Sequence, residues 1–345
     1  MGGSDRDTRL IIGTLILVAF LTGILLMSGC TGNTSSSTPL RVIAAGSLLL
    51  PFEEAEQEFE AEHPGIDVQI EGHGSIQVIR QVTDLHRTAD VIAVADESLI
   101  PDLMYRPIEG TDQNYTNWYL PFGTNEMVIA FTNKSRYQEE ITPENWYLIL
   151  ERPDVRLGFS NPMLDAAGYR TLMLMQLAEE EYDDSMLFEH LIADHFGSLI
   201  TVSGSGKTST ITLPEIMRPS DDHVVIRDGS IYLLSLLEAG GIDYAIEYKS
   251  VAEAMNLSYI TLPASINLGS AEYTDQYGHV TVVLGFPRFS TIGSERTGRP
   301  IVYAMTIPAN APHPDLAREF IDRVAQESAK GRPGWPAPLP TGTGS

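Results

Sequence analysis

The sequence predicts an α/β protein of two lobes, each a sheet flanked by helices, hinged around a central ligand cleft. From residue 40 onwards, short apolar runs alternate with helix-length segments, which is typical of strands joined by crossover helices. The chain has 345 residues, of which 43% are hydrophobic, and this is enough for two globular lobes. A stretch rich in aromatic and turn residues, 101–122, divides two such regions, and we interpret it as the hinge.

The first region predicts three strands that alternate with two helices. The strands are 40–45, 68–70 and 89–95, and the helices are 51–62 and 76–85. In the first of these helices Phe52, Ala55 and Phe59 share one face, with acidic residues opposite, so the helix is amphipathic. We assign 40–120 to the first lobe, together with a returning segment at about 260–330.

The second region, 121–259, predicts the second lobe. Its predicted strands are 126–132, 155–160 and 242–248. Its predicted helices are one that starts at Thr142-Pro143, two that span 167–180 and 230–239, and a fourth that begins with 250–255. The segment 204–228 is rich in Ser, Thr, Gly and Asp, which predicts an exposed excursion. A strand at 301–307 and a helix at 315–326 complete the fold, and we expect 331–345 to be a disordered tail.

The N-terminus predicts export. An uncharged, mostly apolar run from Leu10 to Met27 follows a charged start, so residues 1–29 have the pattern of a signal peptide. Met27-Ser28-Gly29-Cys30 resembles a lipobox, in which Cys30 is lipidated and becomes the first mature residue. An uncleaved anchor is the alternative, because the run has 18 residues. Both interpretations place the body outside the cell membrane, held by a flexible tether at 30–39.

Composition excludes several classes of protein. The chain has 46 acidic and 22 basic side chains, a net charge of -24, and so lacks the basic surface that a nucleic-acid partner requires. Residues 1–29 hold two charges of each sign, so the acidity belongs to the body. The single cysteine excludes intrachain disulfides and thiolate metal clusters.

Two Gly-Ser turns predict an anion site. Gly46-Ser47 and Gly74-Ser75 each follow a predicted strand and precede a helix, and the two serines are 28 positions apart. In a parallel sheet both turns would lie at the carboxyl edge. Such a turn presents backbone N–H groups and a hydroxyl at the positive end of a helix dipole, which favours an anion. One turn alone is usually only a helix cap, whereas two at matching positions favour a site.

Two carboxylates of the second lobe are candidate ligand groups. Asp165 lies between a predicted strand and a helix, so it is either the N-cap of that helix or a ligand contact that faces the first lobe. Glu247 ends an otherwise apolar strand, and its simplest structural role is a salt bridge with Lys249 or another cation.

The body, residues 40 to about 330, resembles the archaeal tungstate/molybdate-binding proteins of ABC importers, the WtpA type. The resemblance rests on four motifs in the same order: Ala45-Gly46-Ser47-Leu48 with Pro51-Phe52; Gly74-Ser75 with Val82-Thr83 and Ala89-Asp90-Val91; Ser160-Asn161-Pro162 through Asp165 to Gly168-Tyr169-Arg170; and Asp243-Tyr244-Ala245 through Glu247 to Ala252. It implies a periplasmic-binding-protein-like fold of type II, a receptor without catalysis or cofactor, and an ABC permease and its ATPase as partners.

The resemblance also implies a ligand set. Gly46, Ser47 and Ser75 would donate hydrogen bonds to the oxo groups, as would the amides near Ala166 and Ala167. Asp165 and Glu247 would bind the tungsten or molybdenum of the oxyanion. The family pattern has Pro-Cys where this chain has the two alanines, so only the backbone contribution is retained there.

The implied carboxylates have a chemical consequence. Two like unit charges about 4 Å apart repel by about 4 kcal/mol at an effective dielectric of 20, so carboxylates beside a dianion need a compensating interaction. Direct bonds from the carboxylates would expand the tetrahedral oxyanion to six-coordination, which sulfate and phosphate cannot do. With serine and backbone donors on the oxo groups, no arginine is required.

Three rival functions remain open from the residues. One is a receptor for sulfate or phosphate. Another is a receptor for ferric iron, for which Tyr169 and Tyr248 are candidate ligands. The third is a hydrolase with Asp165 and Glu247 as acid and base, although no set of nucleophile, base and orienting group is evident.

Overall fold

The computed structural model describes residues 37–285 and 295–340. The predicted signal peptide, Cys30 and the tether up to residue 36 lie outside the described residues. One compact unit begins at Pro39, and the main hydrophobic core of the described residues, which starts at Leu40, lies within it. The hydrophobic core of the described residues therefore draws on no residue before Pro39. Within the described part of the chain, no helix is long and apolar enough to cross a membrane.

The secondary structure alternates strands and helices, as predicted for an α/β protein. The strands are β1 (Thr38–Ala45), β2 (Ile66–His73), β3 (Val91–Val94), β4 (Leu120–Asn125), β5 (Met127–Phe131), β6 (Leu157–Ser160), β7 (Thr201–Ser205), β8 (Thr208–Thr212), β9 (Val224–Arg227), β10 (Tyr244–Tyr248), β11 (Ser258–Thr261), β12 (Val280–Val283), β13 (Glu295–Thr297) and β14 (Ile301–Thr306). The α-helices are α1 (Leu49–Glu62), α2 (Ser75–Thr83), α3 (Leu99–Met104), α4 (Trp146–Leu150), α5 (Ala166–Tyr182), α6 (Leu187–Leu191), α7 (Ile231–Ala239), α8 (Lys249–Ala254), α9 (Thr274–Tyr277) and α10 (Pro314–Ser328).

The first lobe is built on a five-stranded sheet with the order β2-β1-β3-β14-β4. β1 and β3 are parallel, whereas β14 runs antiparallel to β3 and β4. Every residue of β3 is buried, as expected for a strand that is covered on both faces. Phe320 of α10 packs edge-on against Phe52 and Phe59 of α1, with ring centroids 6.0 and 5.4 Å away. The apolar face predicted for α1 is thus a core face.

The second lobe is built on a five-stranded sheet with the order β11-β5-β10-β6-β9. β10 is parallel to β6 and antiparallel to β5, and β6 is parallel to β9. Helix α5 is buried at every position from Ala166 to Ala178. A helix that is covered all round lies inside a protein rather than on its surface, so α5 is a central element.

A third sheet was not predicted. It has four strands in the order β13-β12-β8-β7, and it contains the beginning of the segment 204–228 that we expected to be an exposed excursion, whereas β9, near the end of that segment, belongs to the sheet of the second lobe. β7 and β8 form an antiparallel hairpin, and β8 pairs in parallel with β12. β8 and, through it, β7 are thus part of a sheet with β12, and the polar composition of the two strands does not indicate this pairing.

Two other expectations differ from the structure. The helix expected from Thr142-Pro143 begins instead at Trp146, because the Thr142 N–H donates to the Asn145 side chain in a turn that precedes the helix. In the expected disordered tail, Trp335 is 3% exposed and Ala337 exchanges backbone hydrogen bonds with Thr124. Burial of this tryptophan therefore holds 331–340 on the body, whereas 341–345 lie outside the described residues.

Candidate functional site

Three Gly-Ser turns meet where the two lobes face each other. Ser47 lies in a single 3-10 turn after β1, and Ser75 is the first residue of α2, after β2. The third serine, Ser230, immediately precedes α7 of the second lobe. All three serines are buried. The sequence reasoning missed Ser230, although Gly229-Ser230-Ile231 repeats the pattern of Gly74-Ser75-Ile76.

Asp165 lies at the centre of this junction and is 5% exposed. Its Oδ1 accepts a hydrogen bond from the Ser75 N–H at 3.2 Å, and its Oδ2 accepts one from the Ser230 N–H at 3.2 Å. Asp165 precedes α5, but its side chain makes no capping hydrogen bond to that helix. Asp165 thus occupies the N-cap position of α5, but its carboxylate bridges the two lobes instead of capping the helix.

Three helix dipoles contribute positive potential at Asp165. The N-termini of α2, α5 and α7 converge on this carboxylate, and each helix directs the positive end of its dipole there. Burial nevertheless raises the pKa of Asp165, while the N–H groups of Ser75 and Ser230 lower it. The net shift is upward because the loss of hydration outweighs these hydrogen bonds.

Glu247 is a fully buried carboxyl group at the end of β10. Its Oε2 accepts the N–H of Tyr248 at 2.9 Å, and its Oε1 makes no hydrogen bond of good geometry to the described residues. Burial raises the pKa of Glu247 to about 8, and Asp165 adds to the rise. Lys249 pairs with Glu126 at 2.7 Å, so the expected salt bridge to Glu247 is wrong. Asp165 and Glu247 thus lie close enough to interact, and among the described residues neither carboxyl group forms an ion pair with a lysine or an arginine.

The two predicted serine hydroxyls of the first lobe are oriented by hydrogen bonds that they accept. Ser47 Oγ accepts the hydroxyl proton of Tyr303 at 3.0 Å, and Ser75 Oγ accepts the N–H of Ala95 at 3.0 Å. A serine hydroxyl that accepts one hydrogen bond can still donate its own proton. Both hydroxyls are therefore suited to donate to an anion.

A side chain at Gly46 would have little space. A β-carbon at Gly46 would lie 3.0 Å from a methyl group of Ile231 in the second lobe. Glycine thus permits the close approach of the two lobes beside Ser47.

Ala166 and Ala167 form the first turn of α5, and both are fully buried. Their methyl groups carry no polar atom, so only their backbone amides can contribute to a site. Gly168 fixes this turn against the end of β6, because a β-carbon there would lie 2.3 Å from the carbonyl oxygen of Ser160. This close contact sets the position of Asp165, three residues earlier.

The lobes are in direct contact beside the site. The N–H groups of Ile76 and Gln77, at the start of α2, donate to the carbonyl oxygen of Leu164 at 3.0 and 3.2 Å. A β-carbon on Gly74 would lie 2.5 Å from the same oxygen. The structure is thus that of a closed cleft.

The structure also places an arginine near the cleft, which the sequence reasoning did not assign to the site. Arg170 is 2% exposed and donates to the Tyr248 hydroxyl at 2.8 Å. Tyr169, on the same helix, donates its hydroxyl proton to Asp96 at 2.5 Å. Both tyrosines considered for ferric iron are therefore hydrogen-bonded within the protein. The sequence feature that could have identified this residue is an arginine within an otherwise apolar helical stretch.

The family is identified by comparison with known proteins. The model of the family of bacterial extracellular solute-binding proteins matches residues 40–332. An uncharacterized solute-binding protein of Methanoculleus marisnigri is 40% identical, over 92% of this chain and 90% of that protein. The molybdate/tungstate-binding protein WtpA of Thermococcus kodakarensis is 41% identical, over 93% of this chain and 88% of that protein.

A solved structure confirms the fold. A periplasmic thiamin binding protein superposes with a TM-score of 0.50 and 13% identity, over 89% of this chain and 86% of that one. The two-lobed α/β fold and the resemblance inferred from the motifs are both confirmed. The chain belongs to the family of bacterial extracellular solute-binding proteins, whose members bind solutes for transport.

Proposed function

We propose that this protein captures tungstate or molybdate outside the cell and delivers it to an ABC permease driven by an ATPase. The observation that carries the proposal is the pairing of two buried carboxylates, Asp165 and Glu247, with three converging helix N-termini. Similarity to a protein named for binding molybdate and tungstate supports the choice of ligand.

The site combines two kinds of ligand group. The hydroxyls of Ser47 and Ser75 and the amides at the start of α5 donate hydrogen bonds, which suits the oxo groups of a tetrahedral dianion. Asp165 and Glu247 supply carboxylate oxygens, which suit the hexavalent metal at the centre of that ion. Glu247 Oε1 makes no hydrogen bond of good geometry to the described residues, so it is available for this contact.

The carboxylates account for selectivity. Sulfate and phosphate are tetrahedral oxyanions like tungstate, but their central atoms do not accept two further oxygen ligands. In their case each ionised carboxylate remains next to an anion without a compensating bond, and the repulsion of about 4 kcal/mol per close pair of charges is unrelieved. Tungstate and molybdate are therefore preferred by the same two residues.

Calorimetry on residues 38–345 tests the proposal. Tungstate and molybdate are each expected to bind one site per chain, and Asp165→Asn is expected to weaken binding of both. Glu139, which is exposed, provides the matched control, since Glu139→Gln makes a comparable carboxyl-to-amide change away from the cleft. Sulfate or phosphate binding as tightly as tungstate would refute the coordination argument, and binding of neither metal oxyanion would refute the function.

We further propose that Cys30 carries a lipid and that 30–39 tethers the body to the membrane beside its permease. The support is the lipobox pattern and the family's extracellular function. In cells, Cys30→Ser is expected to release the protein from the membrane fraction. Retention of the variant in the membrane, with residues 1–29 still attached by mass spectrometry, would support the uncleaved anchor instead.

A further inference from the structure

A buried ion pair crosses from one lobe to the other beside the candidate site. Asp96 follows β3 of the first lobe, and Arg170 lies in the first turns of α5 in the second. They are 4% and 2% exposed, and Arg170 Nη2 lies 3.6 Å from Asp96 Oδ2. Tyr169, which is 1% exposed, donates its hydroxyl proton to the same carboxylate oxygen at 2.5 Å. Charges this deep inside a protein are rare unless they are paired.

Arg170 contacts two residues, Ala95 and Tyr248, that in turn hydrogen-bond to the candidate ligand residues Ser75 and Glu247. Its Nη1 donates to the Ala95 carbonyl oxygen at 2.7 Å, and the Ala95 N–H donates to the hydroxyl of Ser75. The same Nη1 donates to the Tyr248 hydroxyl at 2.8 Å, and the Tyr248 N–H donates to Glu247. One guanidinium group thus connects the serine side of the cleft with the carboxylate side.

Asp96 is held on its own lobe by separate contacts. Its Oδ1 accepts hydrogen bonds from the N–H and the hydroxyl of Ser98, at 3.0 and 2.8 Å. Arg296, which pairs with Asp102 at 2.7 Å, also favours the charged form of Asp96. Separation of the lobes would therefore leave Asp96 in place and remove Tyr169 and Arg170 from it.

The energetics of such a pair suit a contact that must form and break. A buried ion pair by itself gains little over its solvated charges, because desolvation offsets most of the Coulomb attraction, so the net gain of the closed form comes from the hydrogen bonds from Tyr169 to Asp96 and from Arg170 to Ala95. An apolar contact of the same area would instead favour the closed form strongly. Loss of one partner, however, leaves an uncompensated buried charge, and this cost arises only in the closed form.

We propose that Asp96, Tyr169 and Arg170 form an interlobe latch that stabilises the closed cleft and positions Ser75 and Glu247 for the ligand. The effect on ligand affinity rests on the proposed function, whereas the effect on closure does not. These three are positioning residues, since they act through Ala95 and Tyr248 rather than on the ligand.

Distance measurement between the lobes tests the latch without any ligand. The body after residue 37 contains no native cysteine, so spin labels can be attached at Leu85→Cys and Leu148→Cys, which are 64% and 53% exposed on the first and second lobes. In pulsed electron paramagnetic resonance, the ligand-free protein is expected to show a short-distance, closed population. Asp96→Asn is expected to remove it, and Tyr169→Phe to reduce it by about two- to tenfold, as for the loss of one hydrogen bond.

A paired substitution separates the latch from a general loss of structure. Asp96→Asn combined with Arg170→Met removes both charges, so the closed population is expected to return at least in part. Asp84→Asn is the control, because Asp84 pairs with Arg80 at 2.8 Å within α2 and its C-cap, inside the first lobe. Tungstate affinity is expected to follow the same order, with Asp96→Asn weakened about tenfold or more.

The outcomes distinguish the two proposals. Identical distance distributions for the labelled protein and its Asp96→Asn variant, both folded by circular dichroism, would overturn the latch whatever the ligand. Absence of a closed population in the ligand-free protein would overturn it equally. If the distance distributions change as expected but the protein binds no tungstate, the proposed function is refuted and the latch is supported.

Discussion

The substitution Glu247→Gln separates two consequences of one buried carboxyl group. The side chain is fully buried, and burial raises its pKa from 4.5 to about 8. Because the folded-state pKa lies above the unfolded one, the folded protein binds this proton more tightly. The free energy of unfolding therefore falls as the pH rises from about 4.5 to about 8, and it is unaffected by this group below that window.

The size of the effect follows from the shift. At pH 7 the group costs the folded state on the order of 3 kcal/mol relative to pH 4, at about 1.4 kcal/mol for each pH unit above 4.5. Glutamine cannot ionise, so Glu247→Gln removes this cost. The ligand-free variant is expected to gain stability over the natural protein as the pH rises from 5 to 8. Tungstate binding, in contrast, is expected to be lost or severely weakened, because an amide is a poor ligand for a hexavalent metal.

Chemical denaturation at pH 5, 6, 7 and 8, with calorimetric titration at pH 7, measures both consequences. Glu139→Gln on the exposed surface is expected to change neither quantity. A variant that binds tungstate like the natural protein would refute the ligand role of Glu247. A variant that is less stable at every pH would mean that the carboxyl group stabilises the fold.

The remaining predictions concern the cleft and the C-terminal segment. Gly74→Ala would place a β-carbon 2.5 Å from a carbonyl oxygen of the opposite lobe, so it is expected to prevent closure and abolish tungstate binding in calorimetry. The control is Gly197→Ala, whose β-carbon would have its nearest neighbour at 3.9 Å and which is expected to bind tungstate normally. Tyr303→Phe removes the hydrogen bond to Ser47 and is expected to weaken tungstate binding by about 0.5–1.5 kcal/mol in calorimetry. Unchanged affinity would mean that this hydrogen bond is not needed to orient the Ser47 hydroxyl. Trp335→Ala is expected to destabilise the protein by about 3–5 kcal/mol in urea denaturation, and a loss below 1 kcal/mol would mean that this segment contributes little to the fold.

Half of the described strands and most of the described α-helices were predictable, because hydrophobic periodicity is a local property. α1 and α10 each have one apolar face, and the structure buries that face. The third sheet was not predictable, since β7 and β8 are short and polar, and they are strands because β7 pairs with β8 and β8 pairs with β12. The burial of α5 on all sides likewise arises from contacts between elements distant in sequence.

The candidate site was predictable in part for the same reason. Ser47 and Ser75 share a turn pattern, and the structure places both where the lobes meet. Ser230 carries the same pattern, but it follows a segment that was interpreted as a loop. The partners of Arg170 could not be inferred, because Asp96 and Ala95 lie about 75 residues away and no local pattern records the contact.

Direct bonding between the carboxylates and the metal of the oxyanion is the central claim of this account. X-ray absorption at the tungsten edge of the loaded body measures the coordination number of the metal itself. The account predicts a six-coordinate tungsten with two oxygen neighbours at longer distance than the oxo groups, and a return to four oxo neighbours in any tungstate retained by Glu247→Gln with Asp165→Asn. A four-coordinate tungsten in the natural protein would contradict the claim, because tungstate would then be held by hydrogen bonds alone.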